Sequence, residues 1–261
     1  MIEEAIAWAR LDCLPAAQRL GLRREAAALA VRHRRLRTHW AGHLAHTRAA
    51  LLASARLAAA SPEPPQRAWI MGAGLLQDVP LTELLDLFRQ IDLVDVCFGP
   101  AARAAERGHP GRVHCVRLDV SGVLADLSRD PQAAVPAMPA DAWCASVNLL
   151  SQLPLLPCSA LLARGSSEAA VERYGRSMQH AHVDAFGPIR HGCLIIEHAL
   201  TRAGSTDEWL LPGLPDRLVS TGWTAGARWH WPLNPACETA EPEGRAMQAW
   251  FRSLAAPAPA P

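Results

Sequence analysis

Between Trp69 and Asp78 an apolar run, Trp69-Ile70-Met71, breaks into Gly72-Ala73-Gly74-Leu75-Leu76-Gln77-Asp78. About twenty residues further on, at the spacing of a nucleotide-binding unit, a second apolar run, Ile91-Asp92-Leu93-Val94-Asp95-Val96, carries a carboxylate near its end. Between them Leu81, Leu84, Leu85 and Phe88 recur at helical spacing, with Pro80 suited to the first helical turn. Strand, Gly-x-Gly turn, helix and a second strand ending in an acid make a nucleotide-binding half-fold. The glycines let the backbone approach a ligand, and the carboxylate can accept hydrogen bonds from ribose hydroxyls.

The alternation continues. Strands are predicted over 68–73, 91–97, 113–119, 142–149, 192–199 and 223–232. The segment 244–253 reads as strand or helix. Helices are predicted over 80–90, 100–107 and 166–186, with a weaker one over 121–129 and a Pro- and Ala-rich loop over 130–140. Residues 1–58 read as mostly helical, amphipathic from Arg37 to Leu57, and Ser61-Pro62-Glu63-Pro64-Pro65 ends them in a stiff linker. The expected fold class is α/β: a doubly wound, mostly parallel seven-stranded sheet with an antiparallel edge hairpin, preceded by an N-terminal helical segment. Residues 1–60 are expected to be a lid or dimerisation segment, 61–254 the ligand-binding domain, and 255–261, made only of Ala and Pro, a disordered tail. In such sheets ligands sit at the carboxyl ends of the central strands, and Gly72, Gly74, Asp95, Asp119 and Asn148 all fall there.

Composition removes several chemistries. Every one of the 26 basic residues is Arg, which excludes a Schiff-base lysine, a Walker A lysine and a Tyr-x-x-x-Lys pair. The net charge of +1 argues against a nucleic-acid partner. No apolar run approaches the ~20 residues that span a bilayer, and the acidic start Met1-Ile2-Glu3-Glu4 lacks the basic opening of a signal peptide. The expectation is a cytoplasmic protein. Its seven cysteines, with no Cys-x-x-Cys pair, read as small buried hydrophobes in a reducing compartment.

On Gly72-Ala73-Gly74, Asp95, Asp119 and Asn148-Leu149-Leu150, residues 61–253 resemble the Rossmann-like S-adenosylmethionine-dependent methyltransferase superfamily, as a divergent member. The resemblance implies S-adenosylmethionine as cofactor. It would set the glycine turn at the methionine part, Asp95 at the ribose hydroxyls, Asp119 near the adenine amino group and Asn148 at the methyl donor. Ser151 is expected to bind the methionine carboxylate or the substrate, or else to cap a helix. The usual acid two residues before the first glycine is here Ile70, with Asp78 as the candidate replacement, and the third glycine is Leu76. The fourth motif lacks the Asn/Asp-Pro-Pro-aromatic pattern of amino-group methylases, which argues against DNA or protein-glutamine methylation. A nicotinamide site is disfavoured because Gln77 stands where the fingerprint needs Gly or Ala.

His39, His43 and His46 share one predicted helix face. A third ligand so far along a helix is awkward for one metal ion, and no metal is expected. His43, and second His182, are the candidate general bases, against the alternative of packed or solvated histidines. Trp223, Trp229 and Trp231 are core, or else a substrate wall or partner surface. The Arg32–Arg37 run reads as a solvated helix face, or else as a contact for an anionic substrate or nucleic acid. Glu197 is expected to end a strand, either at the cleft rim or simply exposed. The function expected is methylation of a small molecule or modified peptide in a biosynthetic setting. The alternative is a non-catalytic methyltransferase-like subunit that binds or scaffolds a biosynthetic partner protein. A homodimer is the further partner considered.

Overall fold

A computed structural model describes residues 2–202, 205–208 and 213–254. The expected disordered tail 255–261 lies outside the described residues. The chain opens with α1 (Ile2–Ala9), a short strand β1 (Asp12–Cys13), α2 (Pro15–Arg19) and the 38-residue helix α3 (Leu22–Ala59). Strands and helices then alternate: β2 (Arg67–Met71), α4 (Leu81–Leu87), β3 (Gln90–Asp95), β4 (Cys97–Phe98), α5 (Pro100–Gly108) and β5 (Val113–Arg117). The second half holds α6 (Pro131–Ala134), β6 (Trp143–Val147), α7 (Leu155–Ala163), α8 (Glu168–Asp184) and β7 (His191–Arg202). It closes with β8 (Ser205–Glu208), α9 (Leu214–Ser220), β9 (Trp223–Asn234) and β10 (Glu243–Ser253).

The main sheet runs β5-β3-β2-β6-β7-β10-β9. The first five strands are parallel, and β10 is antiparallel to both β7 and β9. The ambiguous segment 244–253 is therefore a strand, the inner partner of the expected edge hairpin. β8 adds an eighth strand, pairing with β7 from Ala199 to Arg202, beyond the part of β7 that β6 covers. The chain moves outward from β2 to β3 to β5 and then returns to lay β6 on the other side of β2. That reversal puts the crevice of a doubly wound sheet at the carboxyl ends of β2 and β6.

Successive residues of each parallel strand feed opposite faces of the sheet. Ile70, Leu93, Ala145 and Ile195 join Leu36, Trp40, Leu51 and Ala55 of α3 and Leu84 of α4 in one core. Met71, Val94, Cys144 and Leu194 join Val183 of α8 and Leu214 and Leu218 of α9 in the other. The α3 helix is thus a full layer on the first face. The side chains of Ala50, Ala55 and Ala58 are small enough for it to lie close to the strands. Its Ser54 hydroxyl accepts from Trp143 Nε1 (3.0 Å) and donates to the Gly192 carbonyl (2.9 Å), bridging β6 and β7. Near its middle, Trp40 packs edge-on against Trp231 at 5.3 Å, and its indole nitrogen donates to the Pro232 carbonyl at 3.1 Å.

Three sequence expectations need correction. Residues 121–129 form turns rather than a helix, and the short α6 falls inside the expected Pro/Ala loop. The apolar stretch of α7, with Pro157 inside it, is helical although its hydrophobicity has no clear periodic face. Cys13 and Cys97 are joined in a disulfide across the β1–β4 pair, so these two are not merely small hydrophobes. Of the free cysteines, Cys144 and Cys193 are buried as expected, whereas Cys115 and Cys158 are half-buried and Cys237 is exposed. No helix among the described residues is long and apolar enough to cross a membrane.

Because Trp40 belongs to the same core as the sheet, Trp40→Ala is expected to lose about 3–5 kcal/mol in one cooperative transition. Urea denaturation followed by circular dichroism at two wavelengths would check both the size and the single transition.

Candidate functional site

The glycine turn after β2 is held by its neighbours. A Cβ on Gly72 (φ +83°) would lie 2.5 Å from the Val147 carbonyl of β6, and one on Gly74 would lie 2.0 Å from the Cys97 carbonyl and 2.7 Å from the Asp95 carboxyl. Both positions require glycine, and the atoms that require it belong to the protein. Leu76, standing where the third glycine would be, keeps a left-handed backbone (φ +53°), a conformation that strains a side-chain-bearing residue.

Asp95 ties this turn to the chain that follows β3. Its Oδ2 accepts from Gly74 N–H at 2.9 Å, and its Oδ1 accepts from Val96 N–H at 2.7 Å and Cys97 N–H at 3.1 Å. Burial pushes its pKa up, and the same three N–H groups oppose that shift. A carboxylate offers about four acceptor positions, so one remains on Oδ2 for a ligand.

Asn148 follows β6 in a left-handed conformation (φ +54°), which asparagine tolerates better than most residues. Its Nδ2 donates to Asp78 Oδ2 at 3.0 Å and lies 3.4 Å from His43 Nε2, while its Oδ1 is buried without a partner. Burial raises the Asp78 pKa to about 6, against smaller opposing effects that include its own backbone N–H, Arg48 and Asn148. His43, on α3, stacks flat on Trp231 at 4.1 Å and accepts from Trp229 Nε1 on its Nδ1 at 3.0 Å. It is 2% exposed, and burial lowers its pKa to about 3. The expected general base is thus corrected. The Nδ1 lone pair is taken by the indole, so the neutral ring carries its hydrogen on Nε2 and can only donate there.

His182 is also corrected as a second base. It is 1% exposed, its Nε2 pairs with Ser146 Oγ at 2.8 Å, its Nδ1 has no partner, and burial lowers its pKa to about 4. It packs edge-on against Phe186 in the α8-side core, whereas His43 lies among the tryptophans of the α3-side core. The two histidines sit on opposite faces of the sheet and cannot serve one reacting atom.

Asp119 caps its own turn, accepting from Ser121 N–H at 2.9 Å, Ser121 Oγ–H at 2.6 Å and Leu124 N–H at 2.8 Å. Ser151 is buried and hydrogen-bonds Glu197, whose pKa burial raises and whose Oε2 lies 3.5 Å from Arg245 Nε. The other two face-sharing histidines lie outside the cluster of His43, Asp78 and Asn148. His46 is exposed and stacks on Trp229, and His39 Nε2 lies 3.6 Å from Cys237 Sγ.

The fold therefore brings His43, Asp78 and Asn148 together, and Gly74 with Asp95. It leaves Asp119 engaged within its own turn, Ser151 bound to Glu197 of β7, and His182 apart. The sequence reading did not foresee the part of Trp229 as His43's donor. The spacing of Trp229 and Trp231 signalled a shared strand face but not the helix that meets it.

No family model matches the chain, and no curated protein matches it. Solved structures similar to it include the 1,6-didemethyltoxoflavin-N1-methyltransferase of Burkholderia thailandensis, with bound 1,6-didemethyltoxoflavin and S-adenosylhomocysteine. That likeness has 15% identity, covers 87% of this chain and 88% of that one, and has a TM-score of 0.38. Another is CalS10, an amino pentose methyltransferase from Micromonospora echinaspora involved in calicheamicin biosynthesis, with bound S-adenosylmethionine. There the identity is 12%, the coverage 82% of this chain and 92% of that one, and the TM-score 0.34.

The raised pKa of Asp78 has a definite sign in stability. A carboxyl whose folded pKa lies above its unfolded value of 3.8 contributes stability below that value and loses it as pH rises through about 6. Asp78→Asn is expected to match the parent protein near pH 4 and to exceed it by up to about 3 kcal/mol at pH 8. Urea midpoints across that range would check this. A parent protein that gains stability relative to the variant as pH rises would contradict it.

Proposed function

We propose that this chain is an S-adenosylmethionine-dependent methyltransferase acting on a small molecule or modified peptide. The observation that carries the reading is the strand order β5-β3-β2-β6-β7-β10-β9 with β10 reversed. It sets the crevice between β2 and β6, where the glycine turn, Asp95, Asp78 and Asn148 converge. The orphaned Asn148 Oδ1 fits a ligand bearing a hydrogen-bond donor, because a buried acceptor without a partner is costly.

The cofactor would supply an electrophilic methyl group on a positively charged sulfur. The chain's own work is to bind and align. In this reading Asp95 offers its remaining acceptor position to a ribose hydroxyl. The turn 119–124 would wall the adenine end of the crevice, with the Asp119 carboxyl engaged in holding that turn. Asp78 would supply the carboxylate of the crevice, Glu197 is engaged by Ser151 and Arg245, and His43 is a neutral donor. In-line methyl transfer depends chiefly on alignment, and neither His43 nor His182 is free to take a proton from the acceptor.

A non-catalytic subunit that binds a biosynthetic partner is the second reading. Its support is that protein carbonyls fill the space beside both glycines and that Asp95 is largely engaged by backbone.

One titration separates the two. Calorimetry with S-adenosylmethionine and S-adenosylhomocysteine is expected to show saturable binding of both, weakened at least about tenfold (1.4 kcal/mol) in Asp95→Asn with its circular dichroism spectrum intact. A folded protein that takes up neither ligand would sink the methyltransferase reading and leave the partner-binding one.

A further inference from the structure

The chain Trp229–His43–Asn148–Asp78 holds more hydrogens than its present arrangement can place. An indole nitrogen only donates, so Trp229 at 3.0 Å fixes the hydrogen of neutral His43 on Nε2. That N–H points at the amide nitrogen of Asn148, 3.4 Å away, so that two donors face each other. On the other side of the amide, Oδ1 is buried and unpartnered. Amide oxygen and nitrogen have the same outline and can exchange places. With the amide reversed, Oδ1 takes the His43 N–H and lies 3.0 Å from Asp78 Oδ2. Two oxygens at that distance need a proton between them, and it belongs on Asp78.

Two self-consistent states follow. In one, Asp78 is ionised, the amide nitrogen faces it, and both Asn148 Oδ1 and the His43 N–H lack protein partners. In the other, Asp78 is a neutral acid, Oδ1 accepts from both neighbours, and only the amide nitrogen is left over. The second has fewer unsatisfied groups and no buried charge, so it suits the ligand-free protein. The first leaves Oδ1 for a ligand's donor and gives the crevice a carboxylate, so it suits a bound cation.

Resting on the methyltransferase reading, we propose that Asp78 is the residue that distinguishes a sulfonium ligand from its neutral thioether product. In mildly acidic solution it is protonated when the site is empty, and it gives up its proton to solvent, with rotation of the Asn148 amide, when the cation binds. The groups facing it are the Arg48 cation and neutral His43 from α3, the Asp95 carboxylate from β3, and Asn148 after β6. Only Asp95 adds negative charge, and Arg48 is exposed to solvent, so burial prevails and the proton affinity stays high.

Calorimetry of the full chain at pH 5, in two buffers of different ionisation enthalpy, tests this directly. S-adenosylmethionine is expected to release about one proton per ligand bound and S-adenosylhomocysteine none. The sulfonium's affinity is expected to fall about tenfold from pH 7 to pH 5, with the thioether's unchanged. Difference infrared spectra should show a protonated-carboxyl band at pH 5 that disappears on adding S-adenosylmethionine and is missing from Asp78→Asn. In that variant the sulfonium's affinity becomes independent of pH. Equal proton release by both ligands, or no carboxyl band in the ligand-free protein, overturns the inference while the methyltransferase reading stands. No binding of either ligand overturns both. The buffer and infrared measurements on the parent protein decide the matter even should Asp78→Asn fold poorly.

Discussion

The arrangement at the carboxyl edge of the sheet depends on where the Asp95 carboxylate finds its partners. A buried carboxylate is costly unless it is hydrogen-bonded, and this one takes backbone N–H groups from Gly74 in the turn after β2 and from Val96 and Cys97 leading into β4. Gly99 N–H returns the contact to the Gly74 carbonyl at 2.9 Å. The turn after β2 is thereby bound to the chain after β3, and Cys97 carries the tie on through the disulfide to Cys13 and the first helices. The crevice keeps its shape because one side chain closes several backbone donors at once.

The long helix α3 has two tasks that would ordinarily fall to separate elements. Its C-terminal half closes the core over β6 and β7 through Leu51, Ser54 and Ala55. Toward its middle, the same helix carries His43 to the open end of the sheet, between the indoles of β9 and the amide after β6. The tryptophans that bury the helix also set the chemistry of its histidine. Packing and proton placement are one interaction here, because the ring that stacks on Trp231 is the ring that accepts from Trp229.

Much of the fold was legible in the chain. The apolar runs around Ile70, Leu93, Val113, Ala145 and Ile195 are strands, and the doubly wound parallel order follows from their alternation with helices such as that of Leu84 and Phe88. The elements that escaped lack a periodic signature. The α7 helix is apolar nearly all round and carries Pro157. The stretch 121–129 looked helical in composition, but the Asp119 carboxyl captures the N–H groups of Ser121 and Leu124 and bends it into turns. A side chain competing for backbone donors is a local effect, yet periodicity does not register it.

The candidate site divides along the same line. Residue identity and spacing determined that Gly72, Gly74, Asp95 and Asn148 stand at strand ends, since each follows directly from the strand that precedes it. They also determined that no lysine chemistry operates in this chain. Only the tertiary structure decided which of these groups remain available. It engaged Asp119 within its own turn, turned His182 to Ser146 on the far face, closed the His43 lone pair with Trp229, and joined Asp78 to Asn148 across 70 residues of sequence. The physical reason is that strand and helix patterns arise from neighbours a few positions apart. The protonation state of a buried group is set instead by whatever the fold packs against it.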